Sequence, residues 1–276
     1  MPRRGREWRQ LRIGNFQGDE FVNWSNRLSR AFLGFGLACG LAMVCHGSQP
    51  DFSYSGDTGP GFWAEKSPAC ATTASSRQSP VNIGEVVVDR QLLPLDVLAG
   101  ETSFTVKNPG YTVVASPRSA ALLTLNGTTF QLLQFHFHTL SEHTLRGRHA
   151  VMELHAVFQD ASSQLTVIAV MYRVGRENPF LATILRVGLP QKTTSPAVTV
   201  DGLNLANAFT DLSSYYTYPG SLTTPPCSEN VTWFVLQQFA EMSASQLQRF
   251  RDVLGNDFRP LQNLNDRVIL ATRRGR

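Results

Sequence analysis

The stretch Gln134-Phe135-His136-Phe137-His138 is followed in the chain by Met152-Glu153-Leu154-His155-Ala156. Alternate side chains of a β-strand point to the same face of its sheet, so His136 and His138 share one face and the two phenylalanines share the other. If the second stretch is the neighbouring antiparallel strand, His155 lies over the same face. We therefore expect these two strands to form the centre of the fold and to bring three imidazoles together.

Three neutral imidazoles with an open fourth coordination position are typical of a catalytic zinc site, whereas structural zinc sites have four protein ligands. The alternative is that these are ordinary core or surface histidines, which is the commoner situation for a single histidine. Three of the six histidines in the chain, however, fall at this strand-compatible spacing. The pattern therefore favours Zn²⁺ bound by His136, His138 and His155.

An amide and a carboxylate accompany the histidines in the same phase. Gln134 precedes His136 by two residues and Glu153 precedes His155 by two, so each projects from the same strand face as its histidine. A metal-bound imidazole usually donates its other N–H to an acceptor that fixes its orientation. Alone, either residue would be read as an ordinary surface residue; their phase predicts that they are these acceptors.

Strand candidates make up most of the chain after residue 80. They are short runs rich in β-branched and aromatic residues, and turn signals such as Asn126-Gly127 separate them. The candidates are residues 85–88, 103–106, 112–115, 122–125, 131–137, 150–158, 165–173 and 232–237.

Helix candidates are fewer. Asn178 can cap a short helix that extends to Val187, and Ser243 with Gln246 forms a capping box ahead of a second helix. Few of the strand candidates have the helix between them that a parallel βαβ unit needs. The sequence therefore predicts a mainly β (α+β) fold, a single domain built on a large, twisted, mostly antiparallel sheet with short peripheral helices.

The net charge is concentrated at the N-terminus. Residues 1–47 contain seven arginines and three acidic residues, and this excess accounts for the whole net charge of +4. The remaining 229 residues are balanced, with 18 basic and 18 acidic side chains. A folded basic face for nucleic acid is therefore not expected, and we exclude nucleic acid as a partner.

An uncharged apolar run of fifteen residues, 31–45, follows Arg27 and Arg30. This is the pattern of a secretory signal peptide and is short for a membrane-spanning helix. We therefore interpret residues 1–47 as a leader with a signal peptide and residues 48–276 as the catalytic domain, exported to the periplasm or the extracellular space. On this interpretation the chain meets a membrane only through its leader.

Other interpretations of the leader stay open. The apolar run could be an uncleaved anchor or a buried helix, and Cys39 or Cys45 could carry a lipid, although neither follows a convincing run of small residues. The acidic pair Asp19-Glu20 is unexpected before a signal peptide, so a later translation start, for instance at Val22, is a further hypothesis.

Cys70 and Cys227 are the only cysteines outside the apolar run. In an oxidising compartment an isolated pair is more often bridged than free, so we predict a disulfide; two unrelated thiols are the alternative. Such a bridge would close a loop of more than 150 residues, for which chain entropy suggests roughly 4 to 5 kcal/mol of stabilisation, with real bridges often giving less.

Four motifs resemble the alpha-class carbonic anhydrases, in particular their exported bacterial and algal members. The similarity extends from about residue 54 to 267 and is most specific in the histidine motifs and in Thr223-Thr224-Pro225-Pro226. The motifs are Gln134-Phe135-His136-Phe137-His138-Thr139, Ser141-Glu142-His143, Met152-Glu153-Leu154-His155 and Tyr218-Pro219-Gly220-Ser221-Leu222-Thr223-Thr224-Pro225-Pro226-Cys227.

The resemblance implies roles for further residues. Thr223 would accept a hydrogen bond from zinc-bound hydroxide, and Glu142 would accept the hydroxyl proton of Thr223. A hydroxyl that donates to a carboxylate can only accept from the hydroxide, which orients the hydroxide toward CO₂. The residues implied for the substrate pocket are Val157, Val167, Leu222, Val231 and Trp233, with Thr224 beside them.

The implied reaction is the reversible hydration of CO₂ to bicarbonate and a proton by attack of zinc-bound hydroxide. One departure affects its last step, because Tyr111 stands in the turn Asn108-Pro109-Gly110-Tyr111 where many family members have a proton-shuttling histidine. A phenol with a pKa near 10 is a poorer shuttle at neutral pH than an imidazole with a pKa near 6.5. We expect an active enzyme with slower, more buffer-dependent proton transfer.

Two other functions remain as alternatives. The family includes members that have lost zinc ligands, so a zinc-free binding module is one; the presence of all three histidines disfavours it. A zinc hydrolase acting on esters is the other, since zinc hydroxide also attacks activated carbonyls, and we treat this as a side reaction. A metalloprotease is disfavoured because the sequence contains no His-Glu-x-x-His motif.

Overall fold

A large twisted sheet occupies the centre of the fold. The structure, a computed structural model, describes residues 51–192 and 195–272, which belong to one compact unit. Within those ranges thirteen strands form the large sheet and three short strands form a separate small one. The predicted leader, residues 1–47, lies outside the described residues.

The secondary-structure elements are numbered in chain order. The strands are β1 (Asn82–Ile83), β2 (Val87–Val88), β3 (Asp96–Leu98), β4 (Glu101–Lys107), β5 (Val114–Pro117), β6 (Leu122–Leu125), β7 (Thr128–His138), β8 (Thr144–Leu145), β9 (Arg148–His149), β10 (Met152–Gln159), β11 (Leu165–Val174), β12 (Val198–Asn204), β13 (Tyr215–Gly220), β14 (Val231–Leu236), β15 (Ala240–Met242) and β16 (Leu270–Ala271). The α-helices are α1 (Trp63–Lys66), α2 (Pro179–Val187) and α3 (Ala244–Leu254).

The strand order across the large sheet is β12-β4-β5-β7-β10-β11-β14-β13-β16-β2, with β3, β6 and β15 attached off this path. Most neighbouring pairs are antiparallel, while β11 pairs in parallel with β14 and β15, and β16 with β2. The mainly β class and the mostly antiparallel sheet are therefore confirmed. None of the helices in the described ranges has the length and apolar character needed to cross a membrane.

The register of β7 and β10 places the histidines together. In this antiparallel pair His136 lies opposite His155, and His138 lies opposite Glu153. Side chains directly opposite each other in an antiparallel pair are on the same face, with Cβ atoms about 4.5–5.5 Å apart. The predicted pairing of the two central strands therefore brings the three imidazoles to one place.

A β-bulge in β7 decides which of its residues face the core. Leu132 pairs with Phe158 and Gln134 pairs with Val157, so Leu133 is an extra residue on this strand. Even-numbered side chains are buried against the core before the bulge, and odd-numbered ones after it. The bulge therefore changes the phase of the strand just ahead of the histidines.

Helices cover the face of the sheet that carries the two phenylalanines. The ring of Phe135 lies 5.6 Å from that of Phe180 in α2, and the ring of Phe137 lies 4.7 Å from that of Phe250 in α3. Burying each such side chain contributes about 1.5–3 kcal/mol. Because this face is filled by the apolar core, the histidines face the opposite side of the sheet.

Both predicted helices are confirmed with their caps. The Asn178 side chain accepts a hydrogen bond from Leu181 N–H at the start of α2. Ser243 and Gln246 form the reciprocal capping box of α3, at 3.0 and 3.2 Å. Side-chain acceptors thus satisfy backbone donors that a helix start leaves unpaired.

Each of the eight predicted strands overlaps an observed strand, with ends that differ by up to three residues. The Asn126-Gly127 turn is also present, with both residues at positive φ between β6 and β7. Eight of the strands observed in the described ranges were not predicted, namely β12 and β13 and the short strands β1, β3, β8, β9, β15 and β16. β13 contains Pro219 and Gly220, which argue against a strand in sequence, yet it pairs with β14 along its whole length.

The predicted disulfide between Cys70 and Cys227 is formed, across a sequence separation of 157 residues. Both cysteines are buried against Trp63 of the N-terminal arm, the segment of residues 51–80. A hydrogen bond of 3.1 Å from the Ser67 hydroxyl to the Pro226 carbonyl reinforces the connection. The bridge therefore attaches the N-terminal arm to the loop that follows β13, which contains Thr223.

Candidate metal centre

Three imidazoles meet on the face of the sheet opposite the helices. One nitrogen of each of His136, His138 and His155 lies within 4.8 Å of the others. The ring centroids are 4.7–5.1 Å apart. His138 and His155 are buried, while His136 is partly exposed. β7 and β10 thus supply a compact donor set from two adjacent strands.

An acceptor holds each imidazole from behind. Gln134 Oε1 lies 2.9 Å from His136 Nδ1, as the phase of β7 predicts. The main-chain carbonyl of Asp257 accepts from His138 Nδ1 at 2.6 Å. Acceptors of this kind fix the ring orientation and the tautomer of a metal-ligating histidine.

Glu153 is the acceptor behind the third imidazole, that of His155. Its Oε1 lies 3.1 Å from His155 Nε2, which is within ion-pair distance although the N–H is not aligned on that oxygen. Since Glu153 is behind Nε2, the Nδ1 atom of His155 faces the other two imidazoles. The metal-facing atoms are therefore Nε2 of the two β7 histidines and Nδ1 of the β10 histidine.

The pKa values keep the imidazoles on β7 in the ligating form. Burial lowers the pKa of His136 well below its ordinary value of 6.5, and the neighbouring His138 and His155 lower it further. The pKa of His138 is also lowered, mainly by burial, although Glu142 acts in the opposite direction. Both rings are therefore neutral near pH 7, which leaves a nitrogen lone pair free for a metal.

The donor set fits a metal ion. His138 Nε2 is buried and has no hydrogen-bond partner among the described residues, although a buried polar atom normally has one. Three imidazole nitrogens, each with an acceptor behind its ring and open to a cavity, form a donor set that suits Zn²⁺ with a free coordination position. A second group, His143, Glu153 and His155, also lies within reach of one ion. It is a weaker candidate, because its members are already bonded to each other.

A buried hydrogen-bond chain supports the Glu153 carboxylate. His143 holds it with two contacts, from its N–H to Oε2 at 2.9 Å and from Nδ1 to Oε1 at 2.8 Å. His143 Nε2 in turn lies 2.6 Å from the Tyr218 hydroxyl, which donates to Ser79. Burial alone would raise the pKa of Glu153, but His143 and then His155 bring it well below its ordinary value. Glu153 is therefore an ionised, fixed acceptor.

Glu142 is fully buried, and its two oxygens have different surroundings. Oε1 accepts a hydrogen bond from the main-chain N–H of Arg259 at 2.8 Å. Oε2 has no hydrogen-bond partner within the described ranges and lies 3.6 Å from His138 Nε2 and 3.9 Å from His155 Nδ1. Thr223 lines the same cavity, but its expected hydrogen bond to Glu142 is not formed, because the carboxylate is turned toward the Arg259 amide and the imidazoles.

A narrow cavity of about 70 Å³ opens above the imidazoles. Five of the six residues expected in the substrate pocket line it, namely Val157, Val167, Leu222, Thr224 and Trp233. The sixth, Val231, is buried in the adjoining hydrophobic cluster with Trp233. Thr223, Gln134, Val114, Thr112 and Tyr111 complete the wall together with the three histidines.

Tyr111 lies at this cavity as the turn position predicts. Its ring is half-buried and packs against Phe52 of the N-terminal arm, with centroids 4.9 Å apart. Burial raises the pKa of its hydroxyl above the ordinary value of 10. The phenol is therefore protonated near neutral pH.

Two residues that support the imidazoles or their acceptors were not predicted from the sequence. Asp257 was missed because it acts on His138 through its main-chain carbonyl, which any residue possesses. His143 was part of a recognised motif, but nothing in its spacing indicated that it faces Glu153. Its position between Glu142 and the β8–β9 hairpin became interpretable only from the fold.

The fold and the site together define a class of protein, a β-sheet metalloenzyme with a three-histidine metal centre open to a small cavity. A family model described as eukaryotic-type carbonic anhydrase matches residues 58–273. A carbonic anhydrase of Neisseria gonorrhoeae is 35% identical over 240 residues, covering 85% of this chain and 93% of that protein. One from Klebsiella pneumoniae is 36% identical over 223 residues, covering 79% and 90%.

Solved structures give the same result. An alpha-carbonic anhydrase of Photobacterium profundum is 38% identical, with a TM-score of 0.73, and the match covers 79% of this chain and 99% of that one. An alpha-carbonic anhydrase of Thermovibrio ammonificans, solved with the inhibitor sulfanilamide, is 36% identical with a TM-score of 0.74, covering 79% and 98%. The chain belongs to the alpha, or eukaryotic-type, carbonic anhydrases, a family of enzymes that hydrate CO₂.

Proposed function

We propose that the chain is a zinc enzyme that converts CO₂ and water into bicarbonate and a proton at the centre formed by His136, His138 and His155. The observation that carries this proposal is the buried Nε2 of His138, which lies beside the other two imidazoles and has no hydrogen-bond partner in residues 51–192 and 195–272. When bound, zinc lowers the pKa of its water to about 7, a value known from carbonic anhydrase itself, and so supplies a nucleophile at neutral pH.

The acceptors behind the imidazoles decide which nitrogens are available. An amide oxygen, a main-chain carbonyl and a carboxylate can only accept hydrogen bonds, so the nitrogen nearest each of them carries the proton. This leaves the lone pairs of the opposite nitrogens directed into the cavity. Gln134, Asp257 and Glu153 therefore prepare the zinc site before the ion arrives.

The cavity wall suits an uncharged, apolar substrate. Val157, Val167, Leu222 and Trp233 offer only apolar surface to a molecule beside the imidazoles, apart from the Trp233 N–H, which is bonded to the Ser221 carbonyl. CO₂ has no charge to desolvate and fits such a surface. We assign Thr223 and Glu142 to orienting the nucleophile, with the Thr223 N–H as donor to a substrate oxygen and Thr224 beside the pocket.

Proton release is the step in which Tyr111 matters. A phenol whose pKa is raised above 10 by burial holds its proton at neutral pH and cannot take up another from the site. We propose that Tyr111 occupies the position of a shuttle histidine without transferring protons, and that protons leave mainly to dissolved buffer. The enzyme is therefore expected to depend on buffer concentration more than one with a histidine there.

We also propose that the protein is exported, to the periplasm or the extracellular space, by a signal peptide within residues 1–47. A disulfide between the only two cysteines outside that segment supports this, because such bridges persist in oxidising compartments. On this proposal its partners are CO₂ and bicarbonate rather than nucleic acid, since the charge of residues 48–276 is balanced.

The test is CO₂ hydration by purified protein with zinc, after zinc removal by a chelator, and in His138→Ala. We expect activity in the first sample and loss of most of it in the other two. His149→Ala is the matched control, because His149 packs against Phe258 outside the cavity. This variant should remain active. Equal activity in all samples, or none in the zinc-loaded wild type, would overturn the proposal.

A further inference from the structure

Two cavities of very different size lie on either side of one residue pair. The cavity above the imidazoles measures about 70 Å³, and a neighbouring one beneath the N-terminal arm measures about 410 Å³. Within the described part of the chain, Tyr111 and Thr112 are the residues that line both. They therefore form the wall between the two spaces, and the Tyr111 ring is its larger part.

The wall is supported from the side of the arm. The Phe52 ring, which contacts Tyr111, also packs edge-on against Trp63 at 5.5 Å. Trp63 is fixed in turn, because its indole N–H donates to the carbonyls of Ser53 and Thr58 at 3.1 and 3.0 Å. The Tyr111 ring thus rests on an anchored aromatic cluster.

The turn before the tyrosine is held as well. Asn108 accepts from the Gly110 N–H at 2.9 Å and donates to the Pro190 carbonyl at 3.2 Å. Both ends of the tyrosine are therefore constrained, the backbone by Asn108 and the ring by Phe52. Because the Tyr111 ring is held in this way, it keeps its position between the two cavities and does not rotate into the larger one.

We propose that the Tyr111 ring limits the size of the acyl group accepted at the imidazoles, by separating the zinc cavity from the larger cavity. This inference rests on the proposed zinc-dependent function. It assigns Tyr111 a specificity role that depends on the volume of its ring and not on its hydroxyl.

The volumes decide what each space can hold. Since one water needs about 10–15 Å³ of such volume, a 70 Å³ cavity has room for roughly five waters. Pockets for larger organic ligands measure about 300–1,000 Å³. The 410 Å³ cavity already lies in that range, but a substrate held at the imidazoles can use its space only if the wall is removed and the two cavities join.

The lining of the larger cavity indicates which substrates would then enter. It carries the side chains of Ser53, Ser55, Asn108 and Asn256 beside the ring of Tyr54. A planar aromatic acyl group would find there both polar neighbours and a ring to pack against. The substrate class admitted by opening the wall is therefore activated esters of aromatic carboxylic acids.

The reaction on such esters is hydrolysis. Water adds its oxygen to the ester carbonyl carbon, the acyl–oxygen bond breaks, and the leaving phenol takes the proton, giving one carboxylic acid and one phenol. No co-reactant besides water is needed. A ratio of rates for two esters that differ only in acyl size therefore measures the space available at the site.

The experiment compares 4-nitrophenyl benzoate with 4-nitrophenyl acetate in zinc-loaded wild type, Tyr111→Ala, Tyr111→Leu and Tyr111→Phe. In Tyr111→Ala the benzoate-to-acetate ratio of kcat/KM should rise by roughly tenfold or more, with a smaller rise in Tyr111→Leu. It should stay at the wild-type value in Tyr111→Phe, which keeps the ring. The ratio cancels differences in zinc content and in proton transfer.

Phe62→Ala is the matched control, since Phe62 is an exposed aromatic residue of the same arm that lines neither of the two cavities. Calorimetry adds a readout independent of turnover: Tyr111→Ala should gain affinity for a naphthalenesulfonamide relative to sulfanilamide, and Tyr111→Phe should not.

An unchanged ester ratio in folded Tyr111→Ala, or an equal rise in Tyr111→Phe, would overturn this inference. CO₂ hydration by the wild type is measured on the same preparation. Its absence would refute the proposed function instead, so the two failures are distinguishable.

Discussion

Tyr111 lies at the cavity above the imidazoles, and its hydroxyl can be tested apart from its ring. In Tyr111→His an imidazole with a pKa near 6.5 would replace a phenol that burial holds above 10. We predict that CO₂ turnover in dilute buffer rises by roughly tenfold or more. Stopped-flow hydration across a buffer series measures it, and the gain should shrink as buffer concentration increases. A variant no faster than wild type in dilute buffer would refute the role given to the phenol.

Asp257 offers a second test, because its carboxyl group is buried and one of its two oxygens has no hydrogen-bond partner among the described residues. Oδ1 accepts from the Thr139 N–H at 2.7 Å, while Oδ2 has no partner among the described residues. Burial raises the pKa of this carboxyl well above 3.8. The folded state then binds the proton more tightly than the unfolded chain, so this group lowers stability as pH rises through the folded pKa.

Asp257→Asn should therefore stabilise the protein at high pH, since it keeps the acceptor for Thr139 and removes the charge. We predict a gain of roughly 1–3 kcal/mol in the free energy of unfolding at pH 8, shrinking toward pH 4. Urea unfolding at several pH values measures it, with the exposed Asp266→Asn as control. A gain independent of pH, or the same gain in the control, would contradict the explanation.

At the scale of single residues, the sequence predicted some contacts of the site and not others. The contact between Gln134 and His136 follows from strand phase and is present at 2.9 Å. The hydrogen bond from Thr223 to Glu142 was expected and is not formed, because the surroundings of a buried carboxylate depend on distant segments such as Arg259. Strand phase is local information, whereas the hydrogen-bond donor to Glu142, Arg259, lies 117 residues further along the chain.

Among the elements, β7 shows the limit of periodicity. Alternation indicated a strand and placed His136 and His138 on one face, but it did not indicate the extra residue Leu133. A bulge reflects the pairing with β10, so it is set by the partner strand as much as by the sequence of β7 itself. β13 was missed for a related reason, since its pairing with β14 outweighs the local preference of Pro219.

Helix α3 positions the site through Gln246. This side chain accepts from the N–H groups of Ser243 and Asn178 at 3.0 and 2.9 Å, and donates to the Asn178 carbonyl at 2.8 Å. It therefore joins the start of α3 to the start of α2. The chain after α3 leads within three residues to Asp257, whose carbonyl holds His138.

We predict that Gln246→Ala lowers the free energy of unfolding by about 3 kcal/mol, because three buried hydrogen bonds are lost at about 1 kcal/mol each. Ser243→Ala, which removes only the cap, should cost about 1 kcal/mol. Chemical denaturation measures both, with the exposed Gln248→Ala as control. Equal losses in Gln246→Ala and Ser243→Ala would show that the connection to Asn178 contributes nothing.

Across the whole molecule, one buried arginine connects the arm, the disulfide and the site. The Arg259 guanidinium donates to the carbonyls of Cys70 and Ser79 at 3.0 and 2.9 Å and to Gln78 at 2.8 Å. The main-chain N–H of Arg259 donates to Glu142 Oε1. Cysteine counting predicted the disulfide, but no local pattern indicated that its neighbour would also position a carboxylate of the site.

The overall architecture was predictable because the histidine strands form its centre. The sequence predicted the pairing of these strands, the helix caps and the cysteine pair. Each of these features depends on neighbouring residues or on composition. The division of space around the metal centre was not predictable, because the wall at Tyr111 depends on packing between the arm and a turn more than fifty residues further along the chain.

Metal analysis combined with X-ray absorption on the purified protein shows whether His136, His138 and His155 bind one zinc ion together. We predict one zinc ion per chain, bound by three imidazole nitrogens at about 2.0–2.1 Å, and loss of stoichiometric zinc in His138→Ala. A protein that retains no zinc when supplied with it, or binds it through sulfur or carboxylate ligands instead of three imidazoles, would contradict this prediction.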